Sequence, residues 1–157
     1  MSEMDVKIKL LPAIKVASTL GFGSGPELEA WEKMFQFLKG QGLWEQMDGL
    51  EYYGFNNPDP MPGSPNYGYE QWVVIPETIE EASGEVEIKT FPGGLNAVTR
   101  CIGIMNIYPT WQKLVAWRED SAYQHAGHQW LEKWVNPSKD GIDESQAVMD
   151  LYLPITM

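Results

Sequence analysis

Cysteine is nearly absent. Cys101 is the one thiol in 157 residues, so no disulfide can form within the chain and no cysteine cluster can hold zinc. That usage suits a reducing compartment, and a cytoplasmic location is the expectation. Positive charge is scarce as well. Eleven Lys and Arg stand against 22 Asp and Glu, a formal charge of -11. A field of that sign repels the phosphates of nucleic acid and of anionic membranes, so neither is an expected partner. Long apolar runs are missing: Trp72-Val73-Val74-Ile75 stops at Pro76, whereas a bilayer crossing needs about 20 such residues. The opening carries Glu3 and Asp5 before it alternates, unlike the basic and then apolar start of a signal peptide. No GxSxG, Walker A, GxGxxG or HExxH pattern occurs, which removes local support for those chemistries. No cofactor is expected.

What is there reads as one globular domain over 1–157, with 43% hydrophobic and 21% charged residues. The chain also repeats itself at a shift of 80. Val6/Val86, Ile8/Ile88, Lys9/Lys89, Pro12/Pro92, Ala17/Ala97, Thr19/Thr99, Gly23/Gly103, Trp31/Trp111 and Lys33/Lys113 are identical without a gap. Glu70-Gln71-Trp72-Val73 falls on Asp150-Leu151-Tyr152-Leu153 in the same register. These matches define repeat one at about 6–76, an acidic linker at 77–85 and repeat two at about 86–156.

Each repeat opens with alternation (Val6, Ile8, Leu10; Val86, Ile88) and passes a proline into a second extended stretch, 14–22 or 95–104. After Gly25-Pro26 the spacing turns helical, with Leu28, Trp31, Phe35 and Leu38 as the apolar stripe. Tyr108, Trp111, Leu114 and Val115 form its counterpart. Further strands are expected at 51–56, 69–75, 130–135 and 148–155, giving strand, helix, strand, strand in each copy. Between the last two strands of copy one, four prolines within 56–66 predict an irregular loop. The fold class is therefore α+β.

Several stretches together carry a family likeness. Trp111-Gln112-Lys113-Leu114, Leu131-Glu132-Lys133-Trp134-Val135-Asn136-Pro137 and Asp150-Leu151-Tyr152-Leu153-Pro154-Ile155 resemble the second repeat of the GyrI-like, or AraC-type, effector-binding domains. Tyr53-Gly54-Phe55-Asn56-Asn57-Pro58 and Gly68-Tyr69-Glu70-Gln71-Trp72 resemble its first. The resemblance covers nearly the whole chain. It implies two halves related by pseudo-twofold symmetry, a central aromatic cleft, and a glutamate that meets lipophilic cations. It also implies a sensor that in many relatives is joined to a DNA-reading domain. With the first strand expected from Val6, no such reader is expected here.

Glu132 matches the family's pocket glutamate. On a strand, period two sets Trp130, Glu132 and Trp134 on one face, where indoles and a carboxylate would hold a cation. The residues alone favour an exposed strand-edge acid, and the pocket role is what the resemblance implies. Glu70 with Trp72 and Asp150 with Tyr152 share strand faces in the two copies. They could line the cleft or place each acid in solvent, and Asp150 stands where some relatives carry a longer acid. Tyr53 and Phe55 share a face and form a further pocket wall, with Tyr52 pointing away. His125, His128 and Glu132 could gather a metal only on a helix, which Gly127 opposes, so no metal site is expected. Trp31 and Trp111 read as helix core, and Cys101 as a structural thiol. The leading function is binding of an amphipathic, aromatic, cationic small molecule. A second reading is hydrolysis of a strained, cyclopropane-bearing toxin, with Glu132 as general base and Tyr53 assisting. A third is docking of a protein partner.

Overall fold

The computed structural model describes residues 4–57, 59, 61–80, 85–135, 137 and 145–157. In chain order its elements are β1 (Lys7–Leu11), β2 (Ile14–Gly23), α1 (Pro26–Gly40), β3 (Tyr52–Asn56) and β4 (Tyr67–Val74). These are followed by β5 (Glu87–Phe91), β6 (Gly94–Ile102), α2 (Ile107–Glu119), β7 (Gln124–His125), β8 (Leu131–Trp134) and β9 (Val148–Thr156). Short 3-10 turns at Trp44–Gly49 and Ile104–Asn106 complete the described residues. The two copies of strand, helix, strand, strand are present, and the class is α+β. Part of the acidic linker, 81–84, and Asn136 and Pro58 lie outside the described residues.

The chain divides into two units that do not coincide with the sequence repeats. One is Ile14–Phe91, and the other joins Met1–Ala13 to Pro92–Met157. In the 14–91 unit the antiparallel strand order is β5-β2-β4-β3. In the 92–157 unit it is β1-β6-β9-β8, and β7 pairs with the far end of β9. The opening strand of each repeat is therefore paired inside the unit built by the other repeat. Pro12 and Pro92 stand at the joints, and a residue without an N–H ends a ladder there. At Gly93, φ is +84° and a Cβ would sit 2.2 Å from the carbonyl oxygen of Leu11, so only glycine lets the two backbones pass.

The pairing preserves the shift of 80. Lys9 stands opposite Asn96 as Lys89 stands opposite Val16. Asp150 stands opposite Arg100 as Glu70 stands opposite Leu20.

Each helix covers one face of its own unit's sheet. Pro26 at the first turn and Glu27 and Glu29 beside it favour the start of α1, and Lys39 favours its end. The hydroxyl of Thr19 donates to the Ala30 carbonyl at 2.8 Å, and the rings of Trp31 and Tyr52 meet at 5.2 Å. Ala17, Thr19, Gly21, Gln71, Val73 and Tyr52 consequently form the helix-facing side, as the register requires. The buried set of α1 is Pro26, Ala30, Trp31, Met34, Phe37 and Leu38. Leu28, expected in the stripe, is exposed, and so is Tyr108 in α2. The stripe is rotated because the approach of α1 to β2 is made at the small pair Gly21 and Ala30, where a larger apolar residue has no room.

Candidate functional site

On the side of the 14–91 sheet away from α1, four of the expected site residues come together. Tyr53 opposes Trp72 and Phe55 opposes Glu70, so the pleat sets all four on one face. The rings of Phe55 and Trp72 meet edge to face at 5.1 Å, and Phe91 reaches Trp72 at 5.4 Å. Glu70 is buried at 3% exposure among them. Its Oε2 accepts from the Trp72 indole at 2.6 Å, the Lys89 ammonium at 2.7 Å and the Ser18 hydroxyl at 2.8 Å, and its Oε1 accepts from the Asn57 amide at 2.9 Å. Burial pushes this carboxyl up, but Lys89, Trp72, Asn57 and Ser18 together outweigh burial and hold it below its ordinary value. Glu70 is thus an anion with its charge answered inside its own unit. Tyr52 faces the other way and donates to the Met47 carbonyl, as expected.

In the 92–157 unit the expected residues divide between two faces. Asp150 and Tyr152 lie on one side, with Arg100, Val98 and Leu131. Arg100 grips Asp150 through Nε at 2.9 Å and Nη2 at 3.2 Å. Glu132 and Trp134 lie on the other side, which α2 covers, since Glu132 opposes Leu151 and Trp134 opposes Met149. The indole N–H of Trp111, from α2, donates to Glu132 Oε2 at 3.0 Å, and the rings of Trp111 and Trp130 are 5.3 Å apart at 36°. Glu132 and Trp111 are half-buried and Trp134 is buried. The carboxylate therefore lies beside an indole that β8 does not supply.

Trp111 was expected in the core, because its helical spacing carries no mark of a polar partner. Lys89, Asn57 and Ser18 around Glu70 were also missed. The identity of Lys9 and Lys89 in the repeat was the one visible signal for Lys89, and Asn57 stood within the stretch 53–58 that carries the family likeness. Cys101 is buried, takes a hydrogen bond from the Thr110 hydroxyl at 3.6 Å, and has its thiol pushed up by burial. His125 Nδ1 lies 3.4 Å from the Arg118 guanidinium, while His128 Nε2 lies 3.2 Å from Asn96 Oδ1. The two imidazoles serve different neighbours, and burial holds that of His128 below its ordinary value.

The family of integron-associated effector-binding proteins, Cass2, matches residues 7–155. The chain belongs to this family. Membership agrees with the GyrI-like likeness read from the motifs and makes small-molecule binding its general role. Solved structures share the fold at low identity. A hydrolase from Listeria innocua matches with a TM-score of 0.72 at 10% identity, over 99% of this chain and 94% of that one. The C-terminal domain of EcmrR matches at 0.69 and 16% identity, over 98% of both chains. SAV2435, solved with tetraphenylphosphonium bound, matches at 0.53 and 8% identity, over 98% of this chain and 94% of that one. No curated protein matches the sequence. Among the described residues, no helix is long and apolar enough to cross a membrane.

Proposed function

We propose that this effector-binding protein takes up amphipathic aromatic cations at Glu132, beside the indoles of Trp111 and Trp130. The observation that carries the reading is the half-buried carboxylate held at 3.0 Å by the Trp111 N–H, with the Trp130 ring packed against the same indole. A cation brought to that carboxylate gains Coulomb attraction where water is partly excluded, plus about 0.5–2 kcal/mol from each ring face it covers. Glu70 and Asp150 are held by Lys89 and Arg100. Tetraphenylphosphonium, the molecule bound by SAV2435, has the charge and the aromatic bulk this reading calls for. In this reading Trp134 backs Glu132 from the same strand face, whereas Tyr152 lies on the opposite face of that sheet, and Tyr53, Phe55 and Trp72 belong to the 14–91 unit.

The test compares tetraphenylphosphonium with neutral triphenylphosphine oxide by calorimetric titration of the wild type and Glu132→Gln. The glutamine keeps the shape and removes the charge. The phosphonium is expected to lose about 1–3 kcal/mol of affinity, while the neutral compound changes much less. Equal losses for both would give Glu132 a role in the fold instead.

The hydrolase designation of the Listeria neighbour supports a second reading, in which Glu132 draws a proton from water attacking a strained electrophile. That reading requires turnover of cyclopropane-bearing compounds, seen as product mass. Turnover would be lost in Glu132→Gln. Turnover that survives Glu132→Gln removes this residue as the base.

A further inference from the structure

The duplication supplies an internal comparison at the face of each sheet that its helix leaves uncovered. In the 14–91 unit, Leu20, Glu70, Glu87 and Lys89 occupy neighbouring positions on β2, β4 and β5. Lys89 is 2.7 Å from Glu70 and 3.8 Å from Glu87, so the lysine is consumed internally. In the 92–157 unit the same positions carry Arg100, Asp150, Lys7 and Lys9. Three changes undo the closure. The acid is one methylene shorter, an arginine replaces leucine and takes both acid oxygens, and a lysine stands where the other copy has Glu87. Among the described residues, Lys7 and Lys9 then have no ion-pair or hydrogen-bond partner.

A cavity of about 420 Å³ occupies this place. Lys7, Lys9 and Arg100 line it, with Val98 on the apolar side and Asp5 and Asp150 as its acids. The backbone of Asp5 is fastened by the Thr99 hydroxyl, which donates to its carbonyl at 2.9 Å. Arg100 spends Nε and one hydrogen of Nη2 on Asp150, which leaves the Nη1–Nη2 edge of the guanidinium for a second planar or tetrahedral anion. Three cations against two acids form a positive spot on a chain of net charge -11. The volume falls within the range of about 300–1,000 Å³ that small-molecule sites occupy.

We propose that this cavity binds the carboxylate or phosphate of a small organic anion, with Lys7, Lys9 and the outer edge of Arg100 as its donors. The site lies on the side of its sheet opposite Glu132, and it stands whether or not Glu132 holds a cation. The probes are benzoate and phenyl phosphate, with neutral benzyl alcohol as control, followed through backbone amide shifts of residues 4–10 and 96–101. Saturable shifts with either anion and none with the alcohol are expected, and the stronger of the two names the headgroup. Lys7→Gln and Lys9→Gln each weaken binding about fivefold, the worth of one exposed charge pair, and together about 25-fold.

A second variant leaves both lysines in place. Arg100→Leu with Asp150→Glu installs the residues of the other unit, so that Lys9 is drawn into an internal pair and anion binding falls as in the double lysine variant. No saturable shift with either anion, or affinity unchanged in the Lys7→Gln, Lys9→Gln protein, overturns the proposal.

Discussion

Glu70 shows how much one side chain can set. Its carboxyl lies below the ordinary value of 4.5 in the fold, so its stabilisation is complete above about that pH and is lost as the pH falls through the lowered value. Glu70→Gln places an amide N–H against indole, hydroxyl and ammonium donors. The expected loss at pH 7 is about 1–3 kcal/mol in urea denaturation. The gap between the two proteins should narrow below pH 4.5, where the unfolded wild type takes up a proton that the folded carboxyl still refuses. A constant gap down to strongly acid pH would assign the loss to packing. Cys101 gives a second expectation at this scale. With its thiol buried and raised by that burial, iodoacetamide at mildly alkaline pH should label the native chain far more slowly than the chain in urea. Equal rates would place the thiol at the surface. The pairing of Glu132 with an indole was legible in the sequence only by half. Period two pointed to Trp130 and Trp134, both on or beside β8. The N–H that reaches the carboxylate comes instead from Trp111, on a helix folded across the strand, and no local spacing records which helix face will land on which strand.

Among the elements, the strands were the most legible, because alternation and proline punctuation act locally. The helices were placed correctly and rotated wrongly. Counting large apolar residues selected Leu28 and Tyr108, both exposed, whereas the contact that sets the rotation of α1 is made by the small residues Gly21 and Ala30. A Cβ at position 21 would meet the Pro26 carbonyl oxygen at 2.1 Å and the Ala30 nitrogen at 3.0 Å. Gly21→Ala must therefore push α1 off β2, at a cost of about 1–3 kcal/mol, the usual penalty for overpacking. A thermal melt within experimental error of the wild type would show that the helix can shift freely. The repeat itself was legible down to single residues, since the register keeps Lys9 and Lys89, and Asp150 and Glu70, in matching positions. Which unit each opening strand joins was not legible: β1 carries the same alternation whether it pairs with β2 or with β6, and the choice is made by the path through Pro12 and Gly93.

For the whole molecule, charge and connectivity make separate predictions. At net charge -11, duplex DNA should not be retained at physiological salt, and a micromolar, salt-sensitive affinity in an electrophoretic shift would contradict this. Connectivity predicts how the chain may be cut. A fragment of residues 14–91 holds all four strands of its sheet and should melt cooperatively by circular dichroism. A fragment of residues 6–76 lacks β5 and carries β1 without β6, and should not. The reverse result would mean that the repeats, and not the strand-exchanged units, are the folding units. The same exchange sets a timetable on the ribosome. β1 is made first, yet its partner β6 is not complete until residue 102. At about 5–20 residues per second the nascent strand waits roughly 5–20 seconds with both backbone edges unpaired. Lys7 and Lys9 alternate with Ile8 and Leu10 along that strand, and charged side chains of this kind keep a waiting strand from pairing with its neighbours on a polysome. The lysines that line the cavity of the finished protein would then have served first as guards of the unfinished one.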